Sequence, residues 1–376
     1  MKILILSCKT GGGHDAAGFA VKEALEARGH EAYMFDYLTL AGEKVSETVG
    51  DIYVNTVQKM PHVFGLVYRM GMVISRITRK SPVYYVNAKM GKYLQAYMEQ
   101  EHFDAVVMPH LYPAETITYM KRKGMELPLT LAVMTDYTCI PFWEETDCDY
   151  YVMSHEALRK SCVKRGIPEE KLLPFGIPVS RACRKNTSRA EARKKLGLKQ
   201  DEKYFLAAGG SMGAGDLDEL IEELLTRTEE ERIIVVCGSN QKAEQKLKKK
   251  YSGEERMEIL GFTTQMPLYL RACDVLFTKP GGLTSTEAAV VGVPMIHTAP
   301  IPGCETVNRK FFVRAGMSWS ADTVKGQAEK GIALMRDAEA AEKMVKCQRE
   351  QIHGDAVVKL YEFIRDQIEK ENGGFC

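Results

Sequence analysis

The chain has 376 residues, 45% of them hydrophobic and 27% charged, with a formal net charge of +1; that length exceeds one ordinary core and predicts two domains of roughly 150 to 200 residues each. The balanced charge excludes a general attraction to nucleic acid, no apolar run reaches the roughly 18 to 20 residues that cross a bilayer, and Ile3 to Leu6 is too short for a signal-peptide core. The expectation is a soluble globular protein of the cytoplasm, whose ten irregularly spaced cysteines form no CxxC pair and stay reduced and mostly buried.

Short apolar runs alternate with longer helical patterns, the rhythm of a parallel sheet covered by helices. The first predicted strand, Lys2 to Ser7, runs into SCKTGGGHDAAG, where Gly11, Gly13 and Ala16 satisfy GxGxxA; the second, Glu31 to Asp36, ends on an acid. That spacing fits a dinucleotide loop and equally a plain strand-to-helix turn. A dinucleotide loop has no use for His14, whereas an imidazole at the start of the helix suits a general base. Between Asp51 and Glu99 there is no acidic residue, while Lys59, Arg69, Arg76, Arg79, Lys80, Lys89 and Lys92 fall inside. Strands follow at Ala105 to Met108, Thr130 to Met134 and Tyr150 to Met153. VVMPHLYP sets His110 just past one strand end, and LTLAVMTDY sets Thr135 and Asp136 past the next, places where such sheets present working residues or loop caps. LPFGIPVS, from Leu173 to Ser180, marks a boundary between domains 1–178 and 179–376.

The second half restarts the rhythm with strands at Tyr204 to Ala208, Arg232 to Cys237, Met257 to Leu260, Val275 to Thr278 and Pro294 to His297. FLAAGGSMGAGD offers Gly209, Gly210, Ser211 and Gly213, which let backbone amides approach an anion, although the GK[ST] ending of a Walker A loop is missing. VVCGSN ends the next strand, where Cys237 to Asn240 suit a flat base. In DVLFTKPGGLTSTEAA, Pro280 stops a strand and Gly281 and Gly282 let the chain fold close. Leu283 to Thr286 then start a helix whose free amides favour phosphate. Thr284, Ser285 and Thr286 add hydroxyls, and Glu287, acceptor-only when ionised, suits the vicinal hydroxyls of a ribose. APIPGCETVN supplies Glu305 and Asn308 for sugar hydroxyls. The closing segment, Asp322 to Lys370, reads as helical.

In order, GGGH, VMTDY, GIPV, VVCGSN, TKPGGLTSTEA and PGxExxN resemble the processive diacylglycerol glucosyltransferases of bacteria and the related plant monogalactosyldiacylglycerol synthases, over roughly Ile3 to Gly316. The resemblance implies an α/β chain of GT-B fold, two Rossmann-like domains facing each other across a cleft. The last helices are expected to pack back on the first domain. It further implies inverting transfer of a hexose, glucose or galactose, from a UDP-sugar to diacylglycerol or glycosyl-diacylglycerol, once or in succession, with no cofactor and no metal. Carried across, His14 is the acceptor-side catalytic residue, with Asp136 as its companion and Gly12, Gly13 and His110 nearby. Gly281, Gly282, Leu283 and Thr284 cradle the diphosphate beside Gly210 and Ser211, Glu287 takes the ribose, Gly238, Ser239, Asn240 and Phe262 lie near the uracil, and Glu305 and Asn308 face the sugar. Relatives usually carry Gln where this chain has Cys304, which leaves the donor sugar unnamed. The acid-free stretch then acquires a use: Phe64, Tyr68, Arg69 and Arg76 within HVFGLVYRMGMVISRI suit an anionic membrane surface, placing the protein peripherally on the inner face of the cell membrane. The competing readings are transfer of N-acetylglucosamine to a polyprenyl-linked lipid, a UDP-sugar-sensing binding protein, and a dinucleotide-dependent oxidoreductase.

Overall fold

The computed structural model describes residues 1–8, 12–49, 61–78, 80–210 and 216–373, with backbone alone for 61–64, 75, 76 and 371–373. The chain divides into two compact units, Met1–Arg181 with Gly354–Cys376, and Ala182–His353.

The first unit runs β1 (Lys2–Ser7), α1 (Gly12–Glu26), β2 (Glu31–Asp36), α2 (Pro61–Ile77), α3 (Pro82–Ala88), α4 (Gly91–Gln100), β3 (Ala105–Met108), α5 (Leu111–Arg122), β4 (Leu129–Val133), β5 (Tyr150–Val152), α6 (Arg159–Arg165) and β6 (Leu172–Leu173). Its six strands pair in parallel in the order β2-β1-β3-β4-β5-β6. Runs such as KILILS and LTLAV are apolar at nearly every position because both faces of the sheet are covered. Alternate residues divide between the faces: Leu4, Leu6, Val106 and Met108 pack on one side with Leu94 of α4 and Ile117 of α5. Ile3, Ile5, Val107 and Leu131 pack on the other with Val21 and Leu25 of α1.

The second unit follows α7 (Arg181–Arg184) with α8 (Arg189–Leu196), β7 (Tyr204–Ala208), α9 (Leu217–Arg227), β8 (Arg232–Val236), α10 (Gln241–Lys250), β9 (Met257–Leu260), α11 (Met266–Ala272), β10 (Val275–Thr278), α12 (Gly282–Val291), β11 (Met295–His297), α13 (Cys304–Arg314), β12 (Trp319–Ser320), α14 (Val324–Arg336) and α15 (Ala338–Gln351). Its parallel sheet has the order β12-β11-β10-β7-β8-β9. Phe205, Val235, Phe277 and Ile296 form one core face with Leu220 and Leu224 of α9 and Ile332 of α14. Burying each such side chain is worth about 1.5–3 kcal/mol. Gly331 of α14 is fixed by this packing, since a β-carbon there would lie 2.0 Å from Cζ of Phe277. The chain then returns to the first unit as α16 (Ala356–Gly373), whose Leu360 and Ile364 join the core face of Ile3 and Val21.

The ten strands expected from apolar runs are present, with ends shifted by a residue at β4, β5, β8 and β11. The remaining two, β6 and β12, are edge strands of two residues each, too short to carry a pattern.

Candidate active site

In a parallel sheet, ligands collect outside the carboxyl ends of the strands where the strand order reverses. In the first unit the reversal lies between β1 and β3, and the segments after β1, β3 and neighbouring β4 meet there. His14, in the first turn of α1, sets Nδ1 2.7 Å from the carbonyl oxygen of Pro109 and 3.0 Å from Thr135 Oγ1. A carbonyl oxygen can only accept, so Nδ1 carries the proton and the lone pair is on Nε2, the nitrogen a general base needs bare. Gly12 and Gly13 are helical residues that open α1, while Gly11 lies outside the described residues.

His110 is buried, and its Nδ1 accepts from the Tyr112 amide at 3.1 Å, capping α5. Its ring meets that of His14 edge to face at 4.5 Å. Burial first, and His14 beside it second, hold the His110 imidazole well below its ordinary range, so it is a neutral prop for the His14 ring. Asp136 is partly exposed beyond β4, and its backbone oxygen accepts from Ser154 Oγ at 2.7 Å. Asp36, the acid a dinucleotide site would require, is buried: its carboxylate accepts from the Leu38 amide and the Ser46 hydroxyl. It caps the turn after β2 rather than offering itself to a ribose.

Of the residues expected at a membrane, Tyr68 is partly buried and Arg69 exposed on α2, and the side chains of Phe64 and Arg76 lie outside the described residues. The inner side of α2 approaches the turn between β4 and β5 closely; a β-carbon on Gly71 would lie 3.3 Å from the Phe142 ring. Leu66, Val67, Met70, Val73 and Ile77, each more than half exposed, recur at helical spacing along another stripe of α2. Tyr85 and Val86 of α3 are exposed to a similar degree. No described helix is long and apolar enough to cross a membrane.

In the second unit the order reverses between β7 and β10, which brings together the loops after those strands. Gly210 follows β7 with φ +70°, and a β-carbon there would lie 3.3 Å from Cε of Lys279, the residue after β10. Ser211 lies outside the described residues. Gly281 is the N-cap of α12 and makes no side-chain cap bond, so the leading amides of Gly282, Leu283 and Thr284 are not taken up by a capping side chain.

Three donor-site expectations need correction. Ser285 is fully buried and its hydroxyl pairs with Nε2 of His297 at 3.0 Å, while Thr286 Oγ1 donates to the Gly282 carbonyl at 2.6 Å. Both hydroxyls turn inward, and only Thr284 of the three is partly accessible. His297 is itself buried between Ser285 and Ser318, and burial pushes it down to about 3, so it is a neutral strut beneath α12. Asn308 does not face a sugar either: it is fully buried, and Nδ2 donates to the Pro280 carbonyl at 3.0 Å, pinning the Pro-Gly-Gly turn. Asn240 accepts from the Ala243 amide through its side-chain oxygen, capping α10, and the expected contact with a base is through backbone groups.

The remaining residues take varied settings. Gly238 has φ +59°, Ser239 is exposed, and Phe262 after β9 is 74% exposed. Glu305, in the first turn of α13 beside Cys304, accepts from the Ile301 amide at 2.7 Å. Glu287 is partly accessible, yet burial pushes its carboxyl up to about 7 against a bond from the Cys183 thiol. Two contributors escaped the sequence reading. The Pro109 carbonyl is a backbone group without a sequence signal, and Lys279 stood inside TKPGG unnoticed.

Residues 14–179 match the family model for monogalactosyldiacylglycerol (MGDG) synthase, and residues 188–351 match that for glycosyl transferases group 1. The chain is 28% identical over 347 residues to a processive diacylglycerol beta-glucosyltransferase of Bacillus pumilus, covering 91% of this chain and 89% of that one. It is 25% identical over 349 residues to the enzyme of the same name from Bacillus subtilis, covering 92% and 90%. Among solved structures it is similar to Acinetobacter baumannii MurG, with TM-score 0.64 and 18% identity over 97% of this chain and 99% of that one. It is also similar to Anabaena HepE in complex with UDP, with TM-score 0.55 and 13% identity over the full length of both.

Proposed function

The chain belongs to the glycosyltransferases, an MGDG synthase domain followed by a group 1 glycosyl transferase domain, and from that premise we propose that it transfers a hexose from a UDP-sugar to diacylglycerol with inversion at the anomeric carbon. The observation that carries this reading is the donor loop, an uncapped helix end behind Pro280-Gly281-Gly282, in a chain whose relatives of nearly equal length are diacylglycerol glucosyltransferases.

An acceptor hydroxyl gives its proton to Nε2 of His14 and its oxygen attacks the anomeric carbon from the face opposite the nucleotide. The Pro109 carbonyl keeps the His14 proton on Nδ1, so the base is in the right tautomer before substrate arrives. As the bond to UDP breaks, negative charge builds on the diphosphate, and the amides opening α12 and the Thr284 hydroxyl stabilise it. No divalent ion has a part in this step, so turnover in EDTA is expected to persist. Glu287 takes the ribose hydroxyls and the exposed Phe262 offers a face for the uracil.

The acceptor lives in a bilayer, and the outward stripe of α2 supplies a way to reach it. Apolar groups enter the lipid while Arg69 and Lys80 meet anionic headgroups, each basic residue being worth about 1 kcal/mol there. Changing Val67, Met70 and Val73 together to Glu should abolish sedimentation with anionic vesicles and leave UDP binding unchanged. Vesicle binding equal to that of the wild type would refute the membrane role of α2. Offering diacylglycerol and a polyprenyl-linked lipid to one preparation tests the acceptor. Sugar on the second alone would favour the MurG-like reading.

A further inference from the structure

Lysine is seldom buried unless its ammonium is paired. Lys279 is 7% exposed at the end of β10, yet the only ion pair it makes among the described residues is to Glu305 Oε1, at 3.9 Å, beyond hydrogen-bond reach. An ammonium carries three donors and no acceptor, so this contact leaves its bonding capacity unspent. Its surroundings are those of the donor loops. Its Cε and Nζ lie 3.3 and 3.7 Å from where a β-carbon on Gly210 would sit, and Glu305 Oε1 lies 3.8 Å from the corresponding point on Gly281. Gly210 therefore has two reasons to be glycine, its positive φ and the lysine stem beneath it.

Two independent features thus converge on one ligand charge. The uncapped start of α12 favours an anion, and a buried, weakly paired cation stands in the same turn, three residues before the helix begins. Among the described residues such a lysine balances only one negative group, and that group is too far away to hydrogen-bond to it. A diphosphate offers several acceptor oxygens and more than one charge. We propose that Lys279 is the cation that meets the diphosphate of the donor, with Glu305 as its counter-ion until the nucleotide arrives. The assignment rests on the UDP-sugar reading above and adds to it the residue that neutralises the leaving group.

The test is calorimetric titration of the full-length protein with UDP and, separately, with uridine. Lys279→Met keeps the length of the stem and removes the charge; it should bind UDP at least tenfold more weakly than the wild type, bind uridine as the wild type does, and show a flatter dependence of UDP affinity on salt. UDP affinity unchanged in Lys279→Met overturns the assignment while leaving the nucleotide reading in place. Failure of the wild type to bind UDP overturns the nucleotide reading and the assignment with it. Should Lys279→Met fail to fold, Glu305→Gln decides: freeing the ammonium should tighten UDP severalfold with uridine unaltered, and UDP affinity equal to the wild type overturns the proposal.

Discussion

At His14 a backbone atom decides the tautomer. The carbonyl of Pro109 fixes which nitrogen is bare, a role more often given to a carboxylate, and because it carries no charge it orients the ring without adding a full counter-charge. Glu287 supplies a second residue-scale consequence. Burial pushes its carboxyl up to about 7, and in the proposed ribose contact it would accept from hydroxyls best when ionised, so affinity for a UDP-hexose should rise as pH increases from 6 to 8. The diphosphate of a UDP-hexose has no terminal phosphate to titrate, and Glu287→Gln should bind more weakly with a flat profile. The same slope in wild type and Glu287→Gln would remove Glu287 from the donor site. At this scale the sequence was legible for position and illegible for direction. TKPGGLTSTEA marked the turn correctly, but whether a hydroxyl faces ligand or core depends on what lies beneath the helix. There His297, the last residue of the strand expected at Pro294 to His297, captures Ser285, and nothing in the strand pattern shows that its ring meets the helix. Lys279 was hidden for the converse reason, since lysine after a strand reads as solvated until its burial is known.

Elements show where packing overrides pattern. The helix α2 turns glycine toward the Phe142 turn and presents Leu66, Val67, Met70, Val73 and Ile77 outward, an arrangement that makes sense only if something apolar covers that stripe. Helix α5 carries a different anomaly. Glu115 is fully buried and among the described residues neither carboxyl oxygen meets a donor, while Glu145 beside it accepts from the amide and hydroxyl of Ser81. Burial first and the Glu145 carboxylate second push Glu115 up to about 10, with Arg122 pulling the other way, so it is a neutral acid at pH 7. In the unfolded chain it returns to about 4.5. Between those values the folded state holds the extra proton, so stability is fully present at low pH and is lost as pH rises, at up to about 1.4 kcal/mol per unit. Glu115→Gln, neutral at every pH, should therefore raise the melting temperature by several degrees at pH 8 and barely move it at pH 5. A variant that melts at or below the wild type at pH 8 would contradict this account. No pattern in ITYMKR or its surroundings signals this pair, which exists only because α5 and the Trp143 turn are packed together.

Across the whole molecule, two parallel sheets repeat one device. Each places its working loops where the strand order reverses, His14 with Pro109 and Thr135 in the first unit, Gly210 with Lys279 and Gly281 in the second. The central strands were readable because burial on both faces makes them nearly unbroken apolar runs, and the loops because glycine and proline punctuate them. The return of α16 to the first unit was less so: its Leu360 and Ile364 show a helix with one apolar side but not which sheet that side covers. The central claim is transfer of a hexose from a UDP-sugar to diacylglycerol by a base at His14. Its most direct test is mass spectrometry of lipids recovered after wild type and His14→Ala are incubated with a panel of UDP-hexoses and anionic vesicles containing diacylglycerol. The account predicts hexosyl-diacylglycerol with at least one donor in the wild type, loss of about a hundredfold or more in His14→Ala with UDP binding intact, and no dependence on added metal. Wild-type lipids that gain no hexose from any donor, or equal product from His14→Ala, would contradict it.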